Sequence, residues 1–215
     1  MKDRFKVTAL GYAMGPSHRA KSARTPDRPT LPVARPRTFD AVQAVEAILY
    51  IASKLRAPTL HEVLKICYFA DKKHLSEYGS TATGDDYVAM EWGPVASETY
   101  NLLKAGRGDM ERQIKADYLA LVAGAFDVVE KKRVVSKTPP RTDLISESAR
   151  EAFDWAIEEY GDIDFGDRTA ESHDPAWHNA WFSPARGDTK AMRMPLLSIA
   201  RSLANGSEVV EYLQV

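Results

Sequence analysis

From Asp40 onward, apolar residues recur at helical spacing. Val42, Val45, Ile48, Leu49, Ala52 and Leu55 fall on one face of a helix that Pro58 ends. Thr59-Leu60-His61-Glu62 then has the form of a capping box: the Thr59 hydroxyl takes a free backbone donor of the first turn and Glu62 reaches back to the cap residue. A second helix therefore starts at Leu60. Its apolar face holds Leu60, Val63, Leu64, Cys67, Ala70 and Leu75, and Gly79 suits the left-handed residue that terminates it. Tyr87 to Trp92 alternates as a short strand would. Gly93-Pro94 follows as a change of direction, with Pro94 in the first turn of a third helix that carries Val95, Tyr100, Leu102 and Leu103 and stops by Gly106.

Beyond that helix the spacing predicts two more strands, Tyr118 to Val122 and Phe126 to Val135, separated by Ala123-Gly124-Ala125. They are placed to form a small antiparallel sheet with the Tyr87 strand, covered on one face by a helix. After Pro139-Pro140, Ser148 to Tyr160 reads as a helix with Gly161 as its stop. Short helices are expected over 167–173 and 175–181, and a longer one from Pro195 to Leu203, with Glu208 to Leu213 continuing past Asn205-Gly206. The fold class that results is α+β, mainly α: a compact helical domain with a small antiparallel sheet inserted between helices. Trp92 and Trp177, beside Gly-Pro and Asp-Pro turns, are expected to be buried where sheet meets helices.

The first 38 residues break this pattern. Pro16, Pro26, Pro29, Pro32 and Pro36 punctuate Ser, Thr and Arg, which is the composition of a flexible arm rather than of a packed unit. This arm holds nine Lys or Arg against two Asp, a charge of +7; with the chain at −1, residues 39–215 carry −8. The domain division expected is a basic arm over 1–38 and a folded body over 39–215 that ends in a helical extension.

At 215 residues, 44% hydrophobic and 27% charged, the chain can bury one ordinary core. No apolar run approaches the roughly 18 residues of a membrane span, and the N-terminus lacks the apolar segment of a secretory signal, so a cytoplasmic protein without a membrane partner is expected. Cys67 is the sole cysteine. Intrachain disulfides and a cysteine zinc cluster are thereby excluded, and Cys67 reads as a small buried apolar residue rather than a thiol activated by His61 or His74.

Three short segments resemble one family in the right order. Leu64, Lys65, Tyr68, Ala70, Asp71, His74, Leu75 and Gly79 match its first motif. Ala89, Trp92, Gly93, Pro94, Val95 and Tyr100 form the second, and His173, Pro175, Trp177 and Ala180 the third. In these residues the chain resembles the Panacea domain, or SocA-like antitoxin domain, over about 40–182. The resemblance implies a helical domain with an inserted sheet that neutralises a cognate toxin from the same operon by direct binding, with delivery to a protease as a further outcome, and no cofactor or enzymatic activity. It leaves open whether the motif residues are architectural or touch the partner. The acidic body is a candidate docking face for a basic toxin.

Two rival classes have candidate residues in the chain. A metal-dependent hydrolase has His61, His74, His173 and His178 available, but the last two are five apart with Pro175 between them, unlike ligands four apart on one helical face. His173 is expected instead to orient a local turn through a ring hydrogen bond. A nucleic-acid-binding regulator would use Arg19, Lys21, Arg24, Arg28, Arg35 and Arg37 of the arm on phosphates, against the opposing charge of the body. No phosphate loop, nucleophile elbow or dinucleotide fingerprint is present, and Gly106-Arg107-Gly108 reads as a plain loop.

Overall fold

The computed structural model describes residues 38–109 and 114–214. The arm expected over 1–38, with its six candidate phosphate-binding residues, therefore lies outside the described residues except for Thr38.

Helix α1, Ala41–Leu55, opens on Asp40, whose carboxylate accepts from the backbone N–H groups of Val42 and Gln43 at 2.8 and 3.1 Å. It ends where Arg56 and Ala57 take left-handed φ of 50° and 60°, just before Pro58. Helix α2, Leu60–Tyr78, begins with the full Thr59–Glu62 capping box and stops at Gly79, φ 67°. A side chain on Gly79 would collide with the Tyr212 ring, so space as well as φ calls for glycine there. Most of α2 is buried, including the polar residues Lys65, Asp71 and His74, and α5, Glu147–Tyr160, packs along it. Phe69 of α2 stacks on Tyr160 of α5 with ring centroids 3.8 Å apart.

Strand β1, Tyr87–Met90, turns through Glu91-Trp92 directly into β2, Gly93–Ala96, so that Met90 pairs with Gly93 and Tyr87 with Ala96. Gly93 and Pro94 thus open a strand rather than a helix. Helix α3 begins only at Ser97 and runs to Gly106. The delay has a visible cause: the Asp85 carboxylate accepts from the N–H groups of Glu98 and Thr99 at 3.0 and 2.8 Å and from the Thr99 hydroxyl at 2.8 Å. A cap supplied from before the hairpin fixes the helix start after it.

Residues Ala116–Ala123 form helix α4, not the expected strand. Tyr118 and Val122, four apart, are its buried residues, and the Ala- and Leu-rich composition favours helix. β3, Phe126–Val129, and β4, Arg133–Ser136, make a separate two-stranded hairpin with Glu130 and Lys131 at φ 50° and 63°. This hairpin docks on the α1–α2 turn through Leu60 N–H to Lys132 O and Val134 N–H to Pro58 O, both 2.8 Å. The third strand beside β1 comes from the far end of the chain. β5, Met192–Met194, pairs antiparallel with Tyr87–Ala89 and gives the order β2-β1-β5. Helices α6, Phe165–Ser172, and α7, Pro175–Trp181, precede it, and α8, Leu196–Arg201, and α9, Gly206–Leu213, follow.

The architecture is α+β and mainly α, with a small antiparallel sheet among the helices. Its core includes Ile48, Ile51, Ile66, Tyr68, Leu75, Tyr87, Leu102, Phe126 and Phe153, and Cys67 is buried within it. Burial pushes the Cys67 thiol up, assisted by the carboxylates of Asp71 and Asp85, which is the reverse of what a reactive thiolate needs. No helix among the described residues is long and apolar enough to cross a membrane.

Candidate functional site

The three sequence motifs converge. Lys65, Tyr68, Asp71 and His74 lie on successive turns of α2; the first three bond to β2, to the residue that caps α7 and to β1, while His74 bonds the turn after α2 and the start of α5. Asp71 is 2% exposed and accepts from the Thr83 N–H (2.8 Å), the Thr83 hydroxyl (2.5 Å) and the Tyr87 hydroxyl (2.8 Å). Burial nevertheless raises its carboxyl to a pKa of about 6, against the lowering effect of those hydrogen bonds. The Tyr68 hydroxyl donates to Asp174 at 2.8 Å, and Lys72 pairs with the same oxygen at 2.6 Å. The other Asp174 oxygen caps α7 by accepting from Trp177 N–H. One carboxylate therefore ties α2 to the third motif. His74 Nδ1 bonds the Ser80 carbonyl at 2.5 Å and Nε2 the Ser148 hydroxyl at 3.0 Å. Since a carbonyl only accepts, Nδ1 carries a hydrogen.

Lys65 is 1% exposed, and its Nζ donates to the Pro94 carbonyl at 2.9 Å. Desolvation lowers its ammonium to a pKa of about 7. Gly93, φ +99°, passes directly over this amine. A Cβ there would lie 2.5 Å from Lys65 Nζ, and it would also overlap the Ser172 hydroxyl. Trp177, 3% exposed, holds the adjoining turn, its Nε1–H donating to Met90 O at 2.9 Å. Its faces are stacked by His173, 3.6 Å away and parallel within 1°, and by Trp181 at 5.8 Å. His173 thus acts through ring stacking. The expected ring hydrogen bond to a local turn is not formed, and its Nε2 is buried without a partner among the described residues. Burial lowers its pKa, with smaller contributions in the same direction from Lys65 and His178.

Motif residues Leu64, Ala70, Leu75, Gly79, Ala89, Val95 and Ala180 are also buried, Tyr100 is half-buried and Pro175 opens α7 at the surface. Trp92 departs from expectation. It is 56% exposed, because it occupies the two-residue turn of a hairpin and no helix follows Gly93-Pro94 to cover it. Its ring meets Phe165, itself 50% exposed, edge-on at 5.6 Å, and Phe165 packs on His61 at 4.2 Å. The Thr169 hydroxyl donates to Phe165 O, so His61 Nε2–H donates to Thr169 Oγ1 and Nδ1 is left as a buried acceptor with no donor among the described residues. Burial, then Lys65 and Arg168, push His61 down to a pKa of about 3 and keep it neutral.

Trp92 forms one wall of an open groove of about 600 Å³. Leu60, His61, Leu64 and Lys65 of α2 meet Met90, Glu91 and Val95 of the β1–β2 hairpin there, together with Tyr100 and Arg107 from α3 and its end. Lys131 and Lys132 reach it because the β3–β4 hairpin bonds to Leu60. Trp181, Arg186, Asp188, Thr189 and Lys190 close it. Arg186 is braced there: its guanidinium lies 4.2 Å over the Trp181 ring, with Nε donating to Trp181 O and Nη1 to Thr189 O, both at 2.7 Å. Six basic side chains line the groove against Glu91 and Asp188. Sequence reasoning assigned Lys131, Lys132, Trp181, Arg186 and Lys190 no role and treated Arg107 as part of a plain loop. The Lys131-Lys132 pair and the repeated aromatics were visible, but their convergence depends on the hairpin docking.

His61, His74 and His173 are each engaged separately, and among the described residues no three His, Cys, Asp or Glu side chains are grouped as a metal site requires. The family model that matches the chain is described as Antitoxin SocA-like, Panacea domain, and it covers residues 63–178, just over half of the 215. No curated protein and no solved structure matches the chain.

Proposed function

The chain belongs to the SocA-like Panacea antitoxin family, and from that premise we propose that it neutralises a toxin encoded beside it by direct protein–protein binding, without turning over a small molecule. The observation that carries this reading is the family match over residues 63–178, which takes in the first two motifs and the third as far as Trp177. The motif side chains support it in a specific way. Lys65, Tyr68, Asp71 and Trp177 spend their polar atoms on one another's segments, holding α2, the β1–β2 hairpin and α7 together. A scaffold of this kind presents surfaces rather than a reaction centre. A stable complex needs an interface of at least about 1,000 Å², with a few aromatic or Arg anchors supplying most of the energy.

Co-expression tests the reading. The neighbouring gene product, induced alone, should arrest growth, and the full chain induced with it should restore growth. Arrest that persists at matched expression of both proteins contradicts the reading. Passage of the bound toxin to a protease is the second outcome: toxin levels then fall on co-expression in a wild-type host and recover in a host lacking the protease.

A further inference from the structure

The groove beside Trp92 has the opposite sign to the body around it. Residues 39–215 carry −8, yet the groove gathers six basic side chains and two acids. Some of these cations are already engaged: Arg107 is bonded to Asp109 at 2.5 Å and Arg186 is held on Trp181. The side chains of Lys132 and Lys190 are exposed and make no ion pair or hydrogen bond with any described residue. An exposed large aromatic and uncommitted charges of one sign, on rigid walls, are the features of a recognition surface.

We propose that this groove is the docking site for an acidic segment of a partner protein, one that carries a large apolar side chain among its carboxylates. The apolar side chain seats against Trp92, and the carboxylates meet Lys132 and Lys190. Charge complementarity selects this occupant. The chain's own N-terminal 38 residues, at +7, would be repelled by the same cations. The volume falls in the range of roughly 300–1,000 Å³ found for clefts that enclose a small molecule, which is room for a few side chains. The identification of the partner as a toxin rests on the antitoxin reading; the chemistry of the groove does not.

The test uses the full chain and two probes. The first is a labelled twelve-residue peptide of Glu residues with one central Phe, titrated at low and high salt, with a Lys-based peptide of the same length as control. Saturable binding of the acidic peptide alone is expected, weakened at least about tenfold by Trp92→Ala, by Lys132→Glu combined with Lys190→Glu, and by high salt. Arg201→Glu, one charge reversal at an exposed residue outside the groove, should leave it within about twofold. All altered residues are exposed, and unchanged melting of each variant confirms the fold. Failure of the acidic peptide to bind, or equal binding by the groove variants, overturns the proposal. So does binding of a nucleoside triphosphate in the groove where the acidic peptide does not bind, which would assign it to a small anion. The second probe is the neighbour-encoded toxin. If wild type binds the peptide through the groove but does not bind the toxin, the antitoxin reading fails and the groove proposal stands. If the toxin binds wild type and groove variants equally, the groove proposal fails and the antitoxin reading stands.

Discussion

The indole Nε1–H of Trp177 donates to the carbonyl of Met90 across 87 positions of sequence, at 2.9 Å, and so fixes the turn on which Trp92 stands. The two tryptophans have divided roles. One is buried as a brace, and the other is left exposed by the turn it braces.

Their substitutions should therefore separate. Trp177→Ala removes a buried ring and leaves the Met90 carbonyl without its donor, so a loss of about 3–5 kcal/mol is expected in chemical denaturation. Trp92→Ala, at a largely solvated position, should change stability by less than about 1 kcal/mol. Equal losses at both positions would contradict this division.

Gly93→Ala should be costly for two reasons that act together: φ of +99° strains a residue with a side chain, and the added Cβ meets Lys65 Nζ and the Ser172 hydroxyl. A loss of at least about 1–3 kcal/mol is expected from the backbone strain alone. Removing the obstruction separates the two: Gly93→Ala made in a Lys65→Ala, Ser172→Ala background should cost less than in wild type, measured as a double-mutant cycle.

The buried amine makes stability depend on pH. Lys65 titrates near 7 when folded and near 10.5 when unfolded, so between these values the unfolded chain binds more protons and stability rises with pH. From pH 7 to 9 the gain from this group is about 2 kcal/mol. Lys65→Met should flatten that rise in urea denaturation at the two pH values. On the acid side two groups oppose each other. His61, depressed to about 3, makes stability fall as pH drops from 6.5, while Asp71, raised to about 6, makes it climb as pH drops toward 3.8. Asp71→Asn should therefore expose a steeper acid loss than the wild type shows. A parallel pH profile for wild type and Lys65→Met would contradict the placement of the amine.

Much of this framework was legible from the chain. The Thr59–Glu62 capping box, the Gly79 terminator and the Pro175–Trp181 helix all stand where local signals put them, because caps, glycine φ and proline act within a few residues. What failed depended on distant partners. Gly93-Pro94 was expected to start a helix, but Asp85 caps α3 four residues later and leaves those residues to β2. The third strand of the sheet, Met192–Met194, has no alternation long enough to announce itself and is recruited by the open edge of β1. Tyr118 to Val122 was too short to distinguish periods of 2 and 3.6. The groove was illegible for the same reason: Lys132 becomes a neighbour of Leu60 only through a backbone bond between segments 72 positions apart.

The most direct measurement of the central claim is a titration of the purified full chain against the purified product of the neighbouring gene, with the complex followed by light scattering. The account predicts saturable formation of a complex of fixed stoichiometry that accompanies loss of toxicity, with no small molecule consumed. Neutralisation in the absence of any complex, or a catalytic turnover that persists after separation from the toxin, would contradict it.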